Sequence, residues 1–463
     1  MLPLGLGVAV AASDTGWIAV GGGRDFDIGV DAGAVALWHR KVDGVLLAQI
    51  VEHPKQRREC AFGASVALDA LGSVLVIGAP SEDGPGEWPD DFQMGRAYVY
   101  ERAGEWRLAA TLETPRACVG GHFGAVVAAD GTRIVVGSPD HNGSGFASGR
   151  ADVFVKRGDA WAVDGELLPP SDGAAPLSGR RFATSLAIAG DMIVVGSPHA
   201  SGVGYASGRV DIFRRTNDLG WHHVARVDSP SPQSSAMFGM SVAICSERDH
   251  GERDHGDGAV REVVAIGAPR ESPSNSQAFP DRAGVVHLFA CRDGGTAREE
   301  WTHTTALTSP QPWCGSEQFR PEAFGMSLAA RSGLLAVGAS ESCNPEVIDD
   351  GHENGEGSGS AYVFDRVSHA EWRVAQRLVA PHARAEVHDG YRVALGFSPG
   401  SAHGASQGNP IIIVGRLGNA DQSPGPGEAN LYALRTAPLT TAPTLTAPTL
   451  TAPTRTGVDS ASR

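Results

Sequence analysis

The chain is short of aromatics, of cysteines and of positive charge, and it has no long apolar run. Aromatic residues make up 6% of its 463 residues, whereas glycine is abundant at 60, a balance that suits a turn-rich all-β protein better than a helical one. Lys and Arg number 38 against 53 Asp and Glu, a formal net charge of −15. That sign excludes nucleic acid and anionic membrane as expected partners, because phosphate surfaces select Lys and Arg clusters; cations would be tolerated. No apolar stretch approaches the roughly 20 residues of a membrane-spanning helix. Cys60, Cys118, Cys245, Cys291, Cys314 and Cys343 are too few and too scattered for a disulfide framework, and no pair has CxxC spacing. The redox compartment stays open. Also missing are the Gly-x-Ser-x-Gly elbow, the His-Glu-x-x-His motif and the P-loop, so no catalytic constellation is legible. His222 and His223 are adjacent in an expected strand, one side chain per face, and cannot chelate together.

What the chain does have is a repeat. Its cleanest copy runs from Phe62 to Trp106: Phe62-Gly63-Ala64-Ser65-Val66-Ala67-Leu68, then Val74-Leu75-Val76-Ile77-Gly78-Ala79-Pro80, then Gly95-Arg96-Ala97-Tyr98-Val99-Tyr100. The Phe-Gly step returns at Phe123, Phe182 (as Phe-Ala), Phe238 and Phe324. The apolar run closed by Gly-[Ala/Ser]-Pro returns at 134–139, 193–198 and 263–269, and as Leu334 to Ser340. The third run returns at Gly149, Gly208, Gly284 and Gly359, and fourth runs open at Trp106, Trp161, Trp221, Trp301 and Trp372. Degenerate copies stand at both ends. Leu4 to Ala9 aligns on Phe62 to Ala67, followed by Ile18 to Gly21 and Gly33 to Trp38; Tyr391 to Leu395, Ile411 to Gly415 and Gly427 to Tyr432 form the last. Seven units result, starting near residues 4, 62, 123, 182, 238, 324 and 391. The N-terminal residues also resemble a signal peptide in their small residues, but they lack a positive n-region and are broken by Pro and Gly.

Each unit reads as four strands. The first run alternates and is rich in Ala, Ser and Gly, as an inner strand near a crowded axis requires. The second is continuously apolar and β-branched, hence buried on both faces. Its proline stops it, having no N–H for the ladder. A four-stranded unit with two apolar faces cannot stand alone, and radial stacking of such units predicts an all-β, seven-bladed β-propeller of four-stranded antiparallel blades. The propeller is expected over residues 1–435. Residues 436–463, a Thr/Pro-rich low-complexity tract, are expected to form a disordered tail or a glycosylated stalk. The seventh blade then has three strands, or takes a poor edge strand from Thr436 to Leu445.

These motifs resemble the FG-GAP repeats of the integrin α-subunit head, and more closely the shorter FG-GAP units of secreted and surface proteins. The resemblance covers Leu4 to Leu434. It implies an extracellular or cell-surface module that binds protein or glycan and is not an enzyme. Integrin-type units often carry a calcium loop between their first two strands; here that connection shrinks to Asp69-Ala-Leu-Gly72, Asp130-Gly131 or Gly190-Asp191, too short to wrap a cation wanting about six to eight oxygens.

Antiparallel connectivity puts the long second-to-third-strand loops on one face, and recognition residues favour such loops. Phe92, Phe146 and Tyr205 stand three residues before the glycine that opens a third strand. With Trp88 they could form a stacking platform for a sugar or peptide; the simpler expectation is that each ring folds back over its own loop. Arg96, Arg150 and Arg209 open third strands in successive units and could capture a carboxylate or sulfate, or, more simply, pair with local carboxylates. The Trp-led positions read as packing between blades. Calcium or another metal has two candidate segments: Asp25, Asp27 and Asp31 around Gly29, and Asp249, Asp254 and Asp257 with His250 and His255 in a near-duplicated pentapeptide that also reads as a solvated insertion. Cys314 and Cys343 fall in loops on the same face of one unit, where a disulfide is geometrically plausible. Two rival functions remain. An enzyme would gather carboxylates or histidines at the central channel mouth, and a structural part of a larger assembly would show an extended apolar patch.

Overall fold

A computed structural model describes residues 9–22, 33–41, 44–55, 59–84, 92–171, 177–246, 260–273, 282–292, 299–310, 322–342, 358–368, 370–379, 390–398, 408–416, 428–434 and 449–451. It is a seven-bladed β-propeller. Seven antiparallel sheets of four strands each follow the chain in order, and the described residues contain no helix. The inner strands are β1 (Ala9–Ala12), β5 (Ser65–Leu68), β9 (Val126–Asp130), β13 (Ser185–Ala189), β17 (Ser241–Ser246), β21 (Phe324–Arg331) and β25 (Arg392–Phe397). They neighbour one another around the ring, with β1 beside both β5 and β25. The second strands β6 (Val74–Ala79) and β22 (Leu334–Ala339) are buried at every residue, as continuous apolar runs require.

The recurring motifs fasten one blade to the next. Phe62, Phe123, Phe182, Phe238 and Phe324 are fully buried. Gly95, which opens the third strand of blade 2, has φ +81°, and a Cβ there would lie 2.1 Å from the carbonyl oxygen of Phe123 in blade 3. Only glycine fits. The glycine of Gly-Ala-Pro makes a second close approach: a Cβ at Gly78 would sit 1.9 Å from the carbonyl oxygen of Gly124. The Ser65 hydroxyl donates to that same carbonyl at 2.8 Å. Ser185 repeats the bond to Gly239, Ser241 to Gly325 and Ser327 to Gly390. Phe-Gly, its serine and Gly-Ala-Pro are thus one inter-blade clasp.

The outer strands close the gaps between blades. Trp106 is buried with Trp17 of blade 1, and Trp161 packs against the core shared with blade 2. Indole N–H groups of Trp161 and Trp221 donate back across the junction to Glu101 and Asp164, at 2.9 and 3.0 Å. In blades 1 to 6 the pairing of third and fourth strands shifts by a bulge at the aromatic of the third strand, as at Val99/Tyr100 and Val153/Phe154.

Three registers differ from the sequence expectation. Ala9 lies opposite Gly21 as Ser65 lies opposite Gly78, so the first unit aligns two residues later than Leu4 to Ala9 on Phe62 to Ala67. Leu-Gly occurs twice in a row there, and both copies fit the pattern. In the seventh unit Gly390, accepting from Ser327, occupies the Phe-Gly position, so that unit also starts two residues away from Tyr391. Finally, blade 7 has four strands, and its outer one is neither missing nor at 436–445. It is β28 (Thr449–Thr451), on β27 (Glu428–Ala433). Leu450 lies opposite Ala429, the place held by Leu112 opposite Ala97 and Leu167 opposite Ala151.

Candidate functional site

In blades 2, 3 and 4 the face of the second-to-third loops is built on a short ladder that joins the loop to the one entering the next blade. Gly120 N–H donates to the Phe92 carbonyl, His122 to Gln93 and Phe123 to Met94. The same pattern links Phe146 with Gly179 and Ala147 with Arg181, then Tyr205 with Ser235 and Ala206 with Met237. Non-glycine residues take left-handed conformations in register at these steps: Gln93 with His122, Ala147 with Arg181, Ala206 with Met237, all with φ between 45° and 58°. Each costs of order 1 kcal/mol, so the surrounding bonds must over-determine it. They do. Asp83 Oδ1, Asn142 Oδ1 and Ser201 Oγ stand at one repeat position and accept from the N–H groups of Gln93, Ala147 and Ala206 at 2.8, 2.8 and 3.2 Å. His141 accepts from Gly143 N–H at 2.9 Å and donates through Nε2 to the Arg116 carbonyl at 2.9 Å.

These bonds pin the backbone and leave the aromatic rings outside. Phe146 is 78% exposed, Tyr205 76% and Phe92 40%. Phe146 and Tyr205 therefore do not fold back over their own loops. The loops of blades 3 and 4 are near copies, Gly143-Ser-Gly-Phe-Ala-Ser-Gly-Arg150 and Gly202-Val-Gly-Tyr-Ala-Ser-Gly-Arg209. A Cβ at Gly145 or Gly204 would meet the hydroxyl of Ser178 or Ser234 from the neighbouring loop, at 2.6 and 2.7 Å. Each of these two rings therefore follows a glycine that lies against a serine of the next loop.

Beneath the row lies a polar layer. Arg96 donates to Glu82 at 2.6 Å and to Glu113 at 2.7 Å, and Glu82 also accepts from Tyr98 at 2.6 Å and faces His53 at 3.2 Å. Burial pushes the Glu82 carboxyl up, but bonds from His53 and Tyr98 and the Arg96 charge outweigh it and hold the group below the ordinary 4.5. Arg150 donates to Asp152 at 2.9 Å and pairs with Glu166 at 2.9 Å; Thr114 donates to Asp152. Arg209 pairs with Asp228 at 2.9 Å. Arg96, Arg150 and Arg209 are therefore held in local ion pairs and buried. In blade 5, Glu271 accepts from Ser229 and Ser231 and from His287 at 2.9 Å, and His287 Nδ1 lies 3.2 Å from His303 Nε2. Packing between Phe289 and His287, then the charge of His287, holds His303 below the ordinary 6.5.

Trp88, the six aspartates at 25, 27, 31, 249, 254 and 257, and Cys314 and Cys343 lie outside the described residues. Among the described residues no three His, Cys, Asp or Glu side chains come together as a metal-binding group. The pairing of the three arginines with local carboxylates follows the simpler sequence expectation, but the rest of the polar layer was missed, although its signal was present. Near the end of the fourth strand of blades 1 to 5 an apolar residue stands three before a proline: Val51 and Pro54, Leu112 and Pro115, Leu167 and Pro170, Val227 and Pro230, Leu307 and Pro310. The residue just before that proline enters the layer as His53, Thr114 and Ser229. No protein-family model matches the chain, and no curated protein matches it.

Proposed function

We propose that the chain is a non-catalytic binding module of FG-GAP type, working outside the cell or at its surface, which takes a protein or glycan ligand on its long-loop face. The observation that carries this reading is the exposure of Phe92, Phe146 and Tyr205 at one repeat position in three consecutive blades, on loops whose backbones are pinned. Rings carried on pinned backbones, with only two side-chain torsions each to order, cost a binder little entropy when a ligand covers them.

The test is an array of glycans and extracellular proteins probed with the intact chain and with a Phe146→Ala/Tyr205→Ala variant. Ligands that bind the parent and lose the variant support the reading; a chain that binds nothing overturns it. A parallel arm with chelator addresses Asp25, Asp27, Asp31 and Asp249, Asp254, Asp257. Binding indifferent to chelation removes both segments from the site.

A further inference from the structure

Resting on that reading, we infer that the ligand is an uncharged linear polysaccharide, lying across blades 2 to 4 with sugar rings stacked on Phe92, Phe146 and Tyr205. Repetition is the first ground. Phe146 and Tyr205 sit in near-identical loops of adjacent blades, each one residue after a glycine that packs against an exposed serine, Ser178 or Ser234. A ring face with a hydroxyl nearby suits one sugar unit, whose C–H face stacks and whose edge hydrogen-bonds. A platform repeated at blade spacing suits a ligand that itself repeats.

Charge is the second ground. A sulfated or carboxylated polymer needs uncommitted cations, and three of the arginines beside the row are held by carboxylates. Arg150 pairs with Asp152 and Glu166, Arg181 with Asp140 at 3.0 Å, Arg209 with Asp228, and Arg116 approaches Glu166 at 3.8 Å. The net charge of −15 opposes polyanions further.

The spacing of apolar groups is the third. A protein partner is held by a contiguous desolvated core in which hot spots cluster. Here each ring stands in its own loop, one to a blade, and the exposed aliphatic neighbours are single residues, Val203 by Tyr205 and Val119 by the ladder to Phe92.

The experiment is affinity electrophoresis of the intact chain through gels holding soluble β-glucan, mannan, xylan or heparin, with Phe146→Ala, Tyr205→Ala and double variants alongside. Both rings are exposed, so the variants keep the parent melting temperature, which is measured in parallel. Retardation is expected on at least one of the neutral polymers, unchanged at high salt, weakened about tenfold by each single substitution and abolished in the double variant. Retardation by heparin alone that salt removes overturns the neutral ligand, as does neutral binding that survives the double variant. Ring-dependent binding to a protein on the array, with no polysaccharide retarding the chain, overturns the polysaccharide while leaving the binding module standing. No binding in either assay overturns both.

Discussion

The junction between blades 3 and 4 is built differently from those between blades 2 and 3, 4 and 5, 5 and 6, and 6 and 7. In those four, a serine donates to the carbonyl of the next blade's Phe-Gly glycine, which approaches within 1.9–2.1 Å of where the Gly-Ala-Pro glycine would carry a Cβ. Between blades 3 and 4 the serine is Val126 and the glycine is Ala183, held at φ +67°. The corresponding Cβ on Gly137 would lie 2.8 Å from the Ala183 oxygen and 3.2 Å from Leu186 Cδ1. Between blades 1 and 2 the serine position is held by Ala9, yet a Cβ on Gly21 would still lie 2.2 Å from the Gly63 carbonyl oxygen, so the close approach follows the glycine and not the serine. Where Ala183 replaces that glycine the gap is wider, and Leu186 lies against it.

The largest effect should come from adding a methyl group at the two kinds of junction. Gly267→Ala drives Cβ into the Gly325 carbonyl and Ser241 Oγ, and should cost about 4 kcal/mol or more; Gly137→Ala should cost about 1–2 kcal/mol. Urea unfolding of both variants measures the gap, and equal losses would erase the distinction between the junctions.

Smaller changes exchange single components. Ser241→Ala removes the bond to Gly325 and should cost about 1 kcal/mol. Ala183→Gly relieves a left-handed alanine and should gain about 1 kcal/mol. A loss at position 183 would mean that the alanine methyl, and not the backbone, sets that junction.

Much of this was written plainly in the chain and some of it was not. Phe-Gly, Gly-Ala-Pro and the leading tryptophans recur because every blade must meet the next through the same backbone approach, so strands and blade number could be read directly. The first inner strand slipped by two residues because Leu4-Gly5 and Leu6-Gly7 are interchangeable to pattern reading. The last outer strand is harder still. Leu445-Thr-Ala-Pro448 and Leu450-Thr-Ala-Pro453 satisfy the same rule, and pairing of Leu450 opposite Ala429 is a matter of register alone. Whether Phe146 and Tyr205 plug or present their loops depends on which backbone groups Asn142 and Ser201 bond, a geometric fact that residue identity does not carry.

The smallest effect separates the polar layer from the clasps beneath it. His303 has a folded-state pKa below its ordinary 6.5, so the unfolded chain takes the proton more readily, and stability falls as pH drops through that value. The Glu82 carboxyl is also depressed, but its contribution is present above the ordinary 4.5 and disappears only as pH falls below it. Melting between pH 7.5 and pH 5.5, roughly one unit either side of the histidine value, should therefore show a modest loss. His303→Gln should reduce it, the remainder belonging to His199, which burial also holds below 6.5, and Glu82→Gln should not change it. A loss untouched in a His199→Gln/His303→Gln variant would place the proton elsewhere.

The ring also has a seam. Ile18 and Val20 of the first blade pack with Ile411 and Ile413 of the last, and Phe397 N–H donates to the Ser13 carbonyl, but among the described residues no strand of one blade joins the sheet of the other. On a ribosome this makes the earliest-made blade the longest to wait. Its apolar flank stays bare while six further blades emerge and stack, and it is covered only when the last has formed. A nascent chain of this design carries an apolar edge that its own last blade must cover, and such edges are where incompletely made chains aggregate.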